Sequence, residues 1–237
     1  MVRDYHRWPS RHLGREMELL TFGHAGVPMV VFPTSMGAFF DYEDRGMVAA
    51  VADKINAGVL RLVCVSTIDT ETFYARQVPP RARVDRYLRY ERYLIDELVP
   101  FVRQLTGRET MGATGCSFGA YHALTMALRH PEIFSDCITM GGAFDITRFM
   151  DGYYDEDVYL ICPPHFLPGL SDPWFLERMR ANKWVLVTGE ADICRTETEQ
   201  ASRLLGAKGV PNSLHVWGHG SVHDWPEWIK MAKAYLP

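Results

Sequence analysis

Residues 111–130, MGATGCSFGAYHALTMALRH, are the stretch on which the reading of this chain turns. Met111 to Cys116 is small and apolar, as a buried strand is, and Ser117 to Arg129 carries the composition of a helix. Between them Gly115-Cys116-Ser117-Phe118-Gly119 matches G-x-S-x-G. A strand-to-helix turn this tight strains the serine's backbone and lifts its hydroxyl above the sheet. Glycine two residues before and two after the serine lets the neighbouring backbone pass. The helix N-terminus then supplies backbone N–H groups and a positive dipole end beside a reacting carbonyl. Cys116 is the rival nucleophile, but one residue before the apex it is expected to point down among apolar neighbours.

Outward from this centre, strands and helices alternate. Glu16–Phe22 and Pro28–Phe32 read as strands, with Gly23-His24-Ala25-Gly26 as a hairpin turn between them. Asp41–Ile55 has helical spacing, and Val59–Val65 is an apolar run of the buried parallel kind. Arg83–Leu105 gives the strongest helical stripe, broken only where Glu91 falls on the apolar face. After the elbow come strand Asp136–Met140, an irregular aromatic and acidic stretch at about 143–171, and a short helix Asp172–Arg180. Strand Trp184–Thr188, helix Thr196–Ala207, strand Ser213–Trp217 and helix Pro226–Leu236 complete the chain. Such alternation implies right-handed crossovers and a mostly parallel sheet with helices on both faces, plus an antiparallel edge from the first hairpin. At 237 residues the chain suits one α/β domain, 1–237, with about 143–180 as a cap-like insertion.

Composition excludes other classes. With 47 % hydrophobic and 23 % charged residues the chain can bury a full core. A net charge of −4 gives no pull toward nucleic acid or anionic membrane. Arg81, Arg83, Arg86, Arg89 and Arg92 cluster, but Asp85, Glu91, Asp96 and Glu97 intersperse, so a solvated, ion-paired helix face is expected, not a phosphate-binding one. Five cysteines, odd in number and with no C-x-x-C pair, argue against a zinc site and a disulfide framework. No apolar run suits a signal peptide or a membrane span, so the expected compartment is the cytoplasm and no membrane partner is expected.

A serine nucleophile needs a base, and the base needs a carboxylate to orient it. The acid belongs on the loop after strand Trp184–Thr188, where Asp192 is favoured over Glu190 because Glu190 lies closer to the strand end. The base belongs between the last strand and the last helix, which leaves His219 and His223. These two histidines lack a third ligand at recognisable spacing, so no metal is expected there. An oxyanion hole draws on the Phe118 N–H and on a second N–H from Pro33-Thr34-Ser35-Met36-Gly37, with Ser35 or Met36 as the donor.

With these residues together, the chain resembles the "Putative esterase" (esterase D-like) branch of the α/β-hydrolase superfamily, which includes esterase D-like carboxylesterases, enterochelin esterases and mycolyltransferases. It is most similar to small, mostly uncharacterised bacterial esterase-like proteins. The likeness runs through FPTSMG, YEDRGM, GCSFGAYHA, LPGLSDPWFLERM and GEAD to GHGSVHDWPEW, from about residue 15 onward. It implies an α/β-hydrolase fold and a Ser117, Asp192 and His223 triad, which selects His223 over His219. Many relatives carry His-Gly or Gly-Gly in the oxyanion loop where this chain has Ser35-Met36-Gly37.

The activity implied is a serine carboxylesterase acting on a small-molecule ester without a cofactor. The alternatives are an acyltransferase using the same triad and a non-catalytic module on the same fold. Tyr154, Phe166 and Trp174, with Phe144, Phe149 and Tyr153, are candidates to line an acyl pocket, cover the sheet's edge or form a homo-oligomer contact.

Overall fold

The computed structural model describes residues 1–237. Eight strands form one sheet: β1 (Arg3–Ser10), β2 (Arg15–Phe22), β3 (Val27–Phe32), β4 (Leu60–Val65), β5 (Met111–Cys116), β6 (Phe134–Met140), β7 (Lys183–Gly189) and β8 (Ser213–Trp217). Their spatial order is β1-β2-β4-β3-β5-β6-β7-β8. From β4 to β8 every neighbouring pair is parallel, while β1–β2 and β2–β4 are antiparallel. This is the α/β-hydrolase architecture, with helices on both faces of a mostly parallel sheet.

The antiparallel edge lies one strand earlier than the sequence suggested. β2 and β3 are not a hairpin, because β4 lies between them and pairs with both. The true hairpin is β1–β2. β1 was hidden because as an edge strand it is largely exposed and reads RDYHRWPS, with no apolar alternation. Polar cross-strand contacts hold it instead, such as Arg7 to Glu16 at 2.8 Å.

Pleat alternation divides the core. Val30 and Phe32 of β3 and Ala113 of β5 face the helices Pro80–Tyr93 and Phe118–Arg129. Met29, Val31 and Cys116 face the other side, with Met47, Val51 and the C-terminal helix Trp225–Tyr235. The expected helix 41–55 is three short pieces, Asp41–Asp44, Met47–Ala50 and Ala52–Asn56, parted at Gly46, whose φ is +79°, and again at Val51. The long helix runs from Pro80 to Thr106 through a π-helical turn at Leu94–Leu98.

Glu91, the break in its apolar stripe, is buried against Arg129 at 2.9 Å and His130 at 2.7 Å. Burial works to raise its pKa, but these partners hold it below the usual glutamate value. The arginine face is not simply solvated either. Arg83 is buried, donating to the Phe149 carbonyl and to Asp151, while Arg81 pairs with Asp85, Asp155 and Asp157. The helix thereby clamps the 147–157 segment.

The stretch at 143–171 also holds more regular structure than expected, with short helices Glu156–Leu160 and Pro163–Gly169. All five cysteines are buried and unpaired. No helix is long and apolar enough to cross a membrane.

Connections from β3 lead to β4 on one side, whereas β5 lies on the other. In a parallel sheet the crevice at such a reversal, beyond the strands' C-terminal ends, is where ligands bind. The loop after β3 and the turn after β5 flank that crevice.

Candidate active site

Ser117 stands at the end of β5 with φ +56° and ψ −121°, a conformation that costs a non-glycine residue about 1–3 kcal/mol. Its two flanking glycines show why the sequence accepts this. A Cβ on Gly115 would meet the Gly119 carbonyl at 2.4 Å, and one on Gly119 would meet the Phe32 and Pro33 carbonyl oxygens at 2.4 Å. Strand, turn and helix are closed against backbone, so the serine cannot relax without separating them.

His223 Nε2 lies 2.9 Å from Ser117 Oγ, and His223 Nδ1 lies 2.7 Å from Asp192 Oδ1. The Asp192 side chain is fully buried and also accepts the Cys194 N–H at 2.7 Å. Asp224 caps the helix Trp225–Tyr235 by accepting the Trp225 N–H, which fixes the chain next to His223. Trp228, one turn into that helix, sets its ring edge-on to His223 at 4.8 Å between centroids. The acid and base loops are bound together where Ala191 N–H donates to the Ser221 carbonyl at 3.0 Å. Gly189 and Gly141 leave the space this needs: a Cβ on Gly189 would lie 2.1 Å from Ser221 O, and one on Gly141 2.6 Å from Asp192 Oδ2.

The competing residues point elsewhere. Glu190 is exposed and accepts the Gly220 N–H, and exposed His219 sits at φ +59° without meeting Ser117. Cys116 is fully buried beside the Tyr42 hydroxyl, and burial pushes its thiol up to about 12. Two groups of residues bring possible metal-ligand atoms together, Asp145/Cys162/His165 and Asp192/Cys194/His223. Burial also pushes the Cys162 and Cys194 thiols up to about 12.

Phe118 begins its helix, and its N–H has no acceptor within the protein. In the loop after β3, Ser35 N–H is likewise free, whereas Met36 N–H donates to Asp69 Oδ2 at 3.0 Å. The structure does not gather the three aromatics expected to line an acyl pocket. Phe166 is buried and lines a cavity of about 210 Å³ with Leu128, Leu160, Leu170 and Phe175. Leu128 is ten residues along the helix from Phe118, hence about 15 Å from the nucleophile. Tyr154 is exposed with its hydroxyl on His165, and exposed Trp174 meets Phe175 edge-on and lies under Arg178.

Beside the elbow stand Phe149, from the wider set of candidates, and two aromatics outside that set, Tyr74 and Trp228. Tyr74 and Phe149 pack on Phe118, and Trp228 packs on His223. Asp69 and His122, both buried, were also not singled out by the sequence. The only local hint was a histidine five residues after the serine, on a largely apolar helix.

This arrangement of crevice, strained serine turn and helix is that of an α/β-hydrolase. Residues 41–234 match the family model described as "Putative esterase", and the chain belongs to that family. It is therefore an esterase-type hydrolase. No curated protein sequence matches it.

Among solved structures it is similar to a ferulic acid esterase (TM-score 0.79, 16 % identity, covering 100 % of this chain and 96 % of that one). It is also similar to an S-formylglutathione hydrolase from Agrobacterium tumefaciens (0.73, 16 %, 99 % and 92 %). A third is the fluorophosphonate-binding serine hydrolase FphF of Staphylococcus aureus (0.68, 15 %, 98 % and 96 %). At such identities the likeness speaks for the fold.

Proposed function

We propose that this protein hydrolyses a small-molecule carboxylic ester through an acyl-enzyme on Ser117. The observation that carries this reading is the hydrogen-bonded chain Ser117 Oγ–His223–Asp192, at 2.9 and 2.7 Å, on a strained turn at the head of a helix. His223 takes the serine proton as Oγ attacks the ester carbonyl, and Asp192 orients the ring and steadies the imidazolium that forms. The developing oxyanion is held by the N–H groups of Phe118 and Ser35, both free of protein acceptors. His223 then protonates the leaving alcohol and activates the water that releases the acid. The reaction so written needs no cofactor.

The test is hydrolysis of p-nitrophenyl esters of graded acyl length, run beside labelling with a fluorophosphonate probe. Ser117→Ala and His223→Ala are expected to lower kcat by on the order of 10⁴ or more, and Ser117→Ala to abolish labelling. Undiminished turnover in either variant would sink the proposal. Product analysis with a competing alcohol separates hydrolysis from acyl transfer.

A further inference from the structure

Asp69 is 2 % exposed, and its two oxygens reach in different directions. Oδ1 lies 3.0 Å from Nε2 of His122, on the helix that Phe118 begins. Oδ2 accepts the Met36 N–H, in the loop after β3. One buried carboxylate thus ties together the two elements that flank the nucleophile. His122 is itself 1 % exposed, its ring enclosed by Phe32, Tyr87, Tyr90, Phe118 and Tyr121, and its Nδ1 has no partner. An apolar core gains nothing from enclosing such a pair, because a buried carboxylate is costly even when hydrogen-bonded.

The loop supplies the reason. Gly37 N–H donates to the Thr34 carbonyl at 2.8 Å, closing a turn with Ser35 and Met36 at its centre. Met36 has φ +57°, whereas Ser35 is not in the positive-φ region. That is the type II pattern, which favours glycine where Met36 stands. If the central peptide turned over, Met36 would relax to negative φ and its N–H would swing away from Asp69. The bond to Asp69 opposes that turnover. Tyr74 Oη donates to Ser35 Oγ at 2.8 Å and Thr67 Oγ1 to the Gly37 carbonyl at 3.2 Å, so the same segment after β4 fastens the turn at further points.

We infer that Asp69, backed by His122, is a positioning residue for ester hydrolysis. It fixes the Ser35–Met36 peptide and thereby sets the β3 loop in register with the Phe118 N–H across the oxyanion. The inference rests on Ser117 being the nucleophile.

The experiment compares kcat and KM for a p-nitrophenyl ester in wild type, Asp69→Ala, Asp69→Asn and the Asp69→Ala/Met36→Gly double variant. Asp69→Ala is expected to lower kcat roughly 10- to 100-fold with KM changed by less than about threefold, as for a displaced transition-state contact. Asp69→Asn recovers most of this, because its oxygen still accepts the Met36 N–H and its amide donates to the other His122 tautomer. Met36→Gly recovers part of it in the Ala background, because glycine holds positive φ unaided. A folded Asp69→Ala with wild-type kcat overturns the inference, and so does an Asn variant as impaired as the Ala variant.

Should Asp69→Ala not fold, Met36→Pro takes its place at an exposed loop position, removing the N–H and the positive φ together. The same loss of kcat is expected, and wild-type kcat again overturns the inference. Fluorophosphonate labelling keeps the two readings apart. Failure of the wild type to label at Ser117 overturns the nucleophile reading and this inference with it. A labelled wild type beside an indifferent Asp69→Ala overturns this inference alone.

Discussion

Ser117 and Met36 occupy the same unusual backbone region, at φ +56° and +57°, on the two loops that flank the crevice. Their supports differ. Ser117 is held by Gly115 and Gly119, two residues away on either side, whose missing side chains let the turn close. Met36 has only its turn bond nearby, and its N–H is held by Asp69, thirty-three residues along the chain. A strained residue whose supports are its sequence neighbours announces itself as a motif. One whose support arrives through tertiary packing looks like an ordinary loop residue.

Gly119→Ala strikes this contrast hardest. Its Cβ would need space already filled by two carbonyl oxygens, and neither helix nor strand can yield cheaply. The expected cost is about 3 kcal/mol or more, a fall in Tm of roughly 10 °C, with esterase activity lost alongside. An alanine variant that melts with wild type would show that the elbow is not closed by backbone contact.

Met36→Gly set against Met36→Ala probes the other loop more gently. Glycine accepts the positive φ that alanine resists, so the glycine variant should be the more stable by about 1 kcal/mol, read as a Tm difference of roughly 3 °C. Equal melting, or a more stable alanine, would remove strain from the account of this loop.

The smallest effect is expected at Cys116, one residue before the nucleophile. Burial lifts its thiol to about 12, so at pH 8 almost none of it is thiolate. Iodoacetamide at that pH should leave hydrolysis unchanged, and inactivation traced to Cys116 by mass spectrometry would mean the elbow opens far more than its packing suggests.

Much of the architecture was legible in the residues. β5 and its helix, the strands β6 to β8 and the helices between them follow from local periodicity, because each buries one face against a neighbour. The edge did not follow. Whether β2 pairs with β3 or β4 is a matter of sheet order, which two strands of similar apolar pattern cannot report. β1 has almost no buried face to reveal it. The aromatic stretch does not report where it packs, for a related reason. Phe166 is apolar wherever it packs, and only the fold carries it to the far end of the helix that starts at the nucleophile.

At the candidate site the same division holds. Ser117 was written in five consecutive residues, and Asp192 and His223 lie on loops fixed by where strands end. Yet spacing alone left His219 beside His223; the family resemblance selects His223, whose ring lies 2.9 Å from Ser117 and 2.7 Å from Asp192.

By itself, then, the sequence determined the elbow, the order of the three triad candidates and the α/β class, because those depend on steric needs within a few residues. Tertiary structure alone decided the sheet's edge, the aromatics beside Ser117 and the Asp69–His122 tie. Each of these joins segments tens of residues apart, and their proximity exists only once β3, β4 and β5 lie side by side.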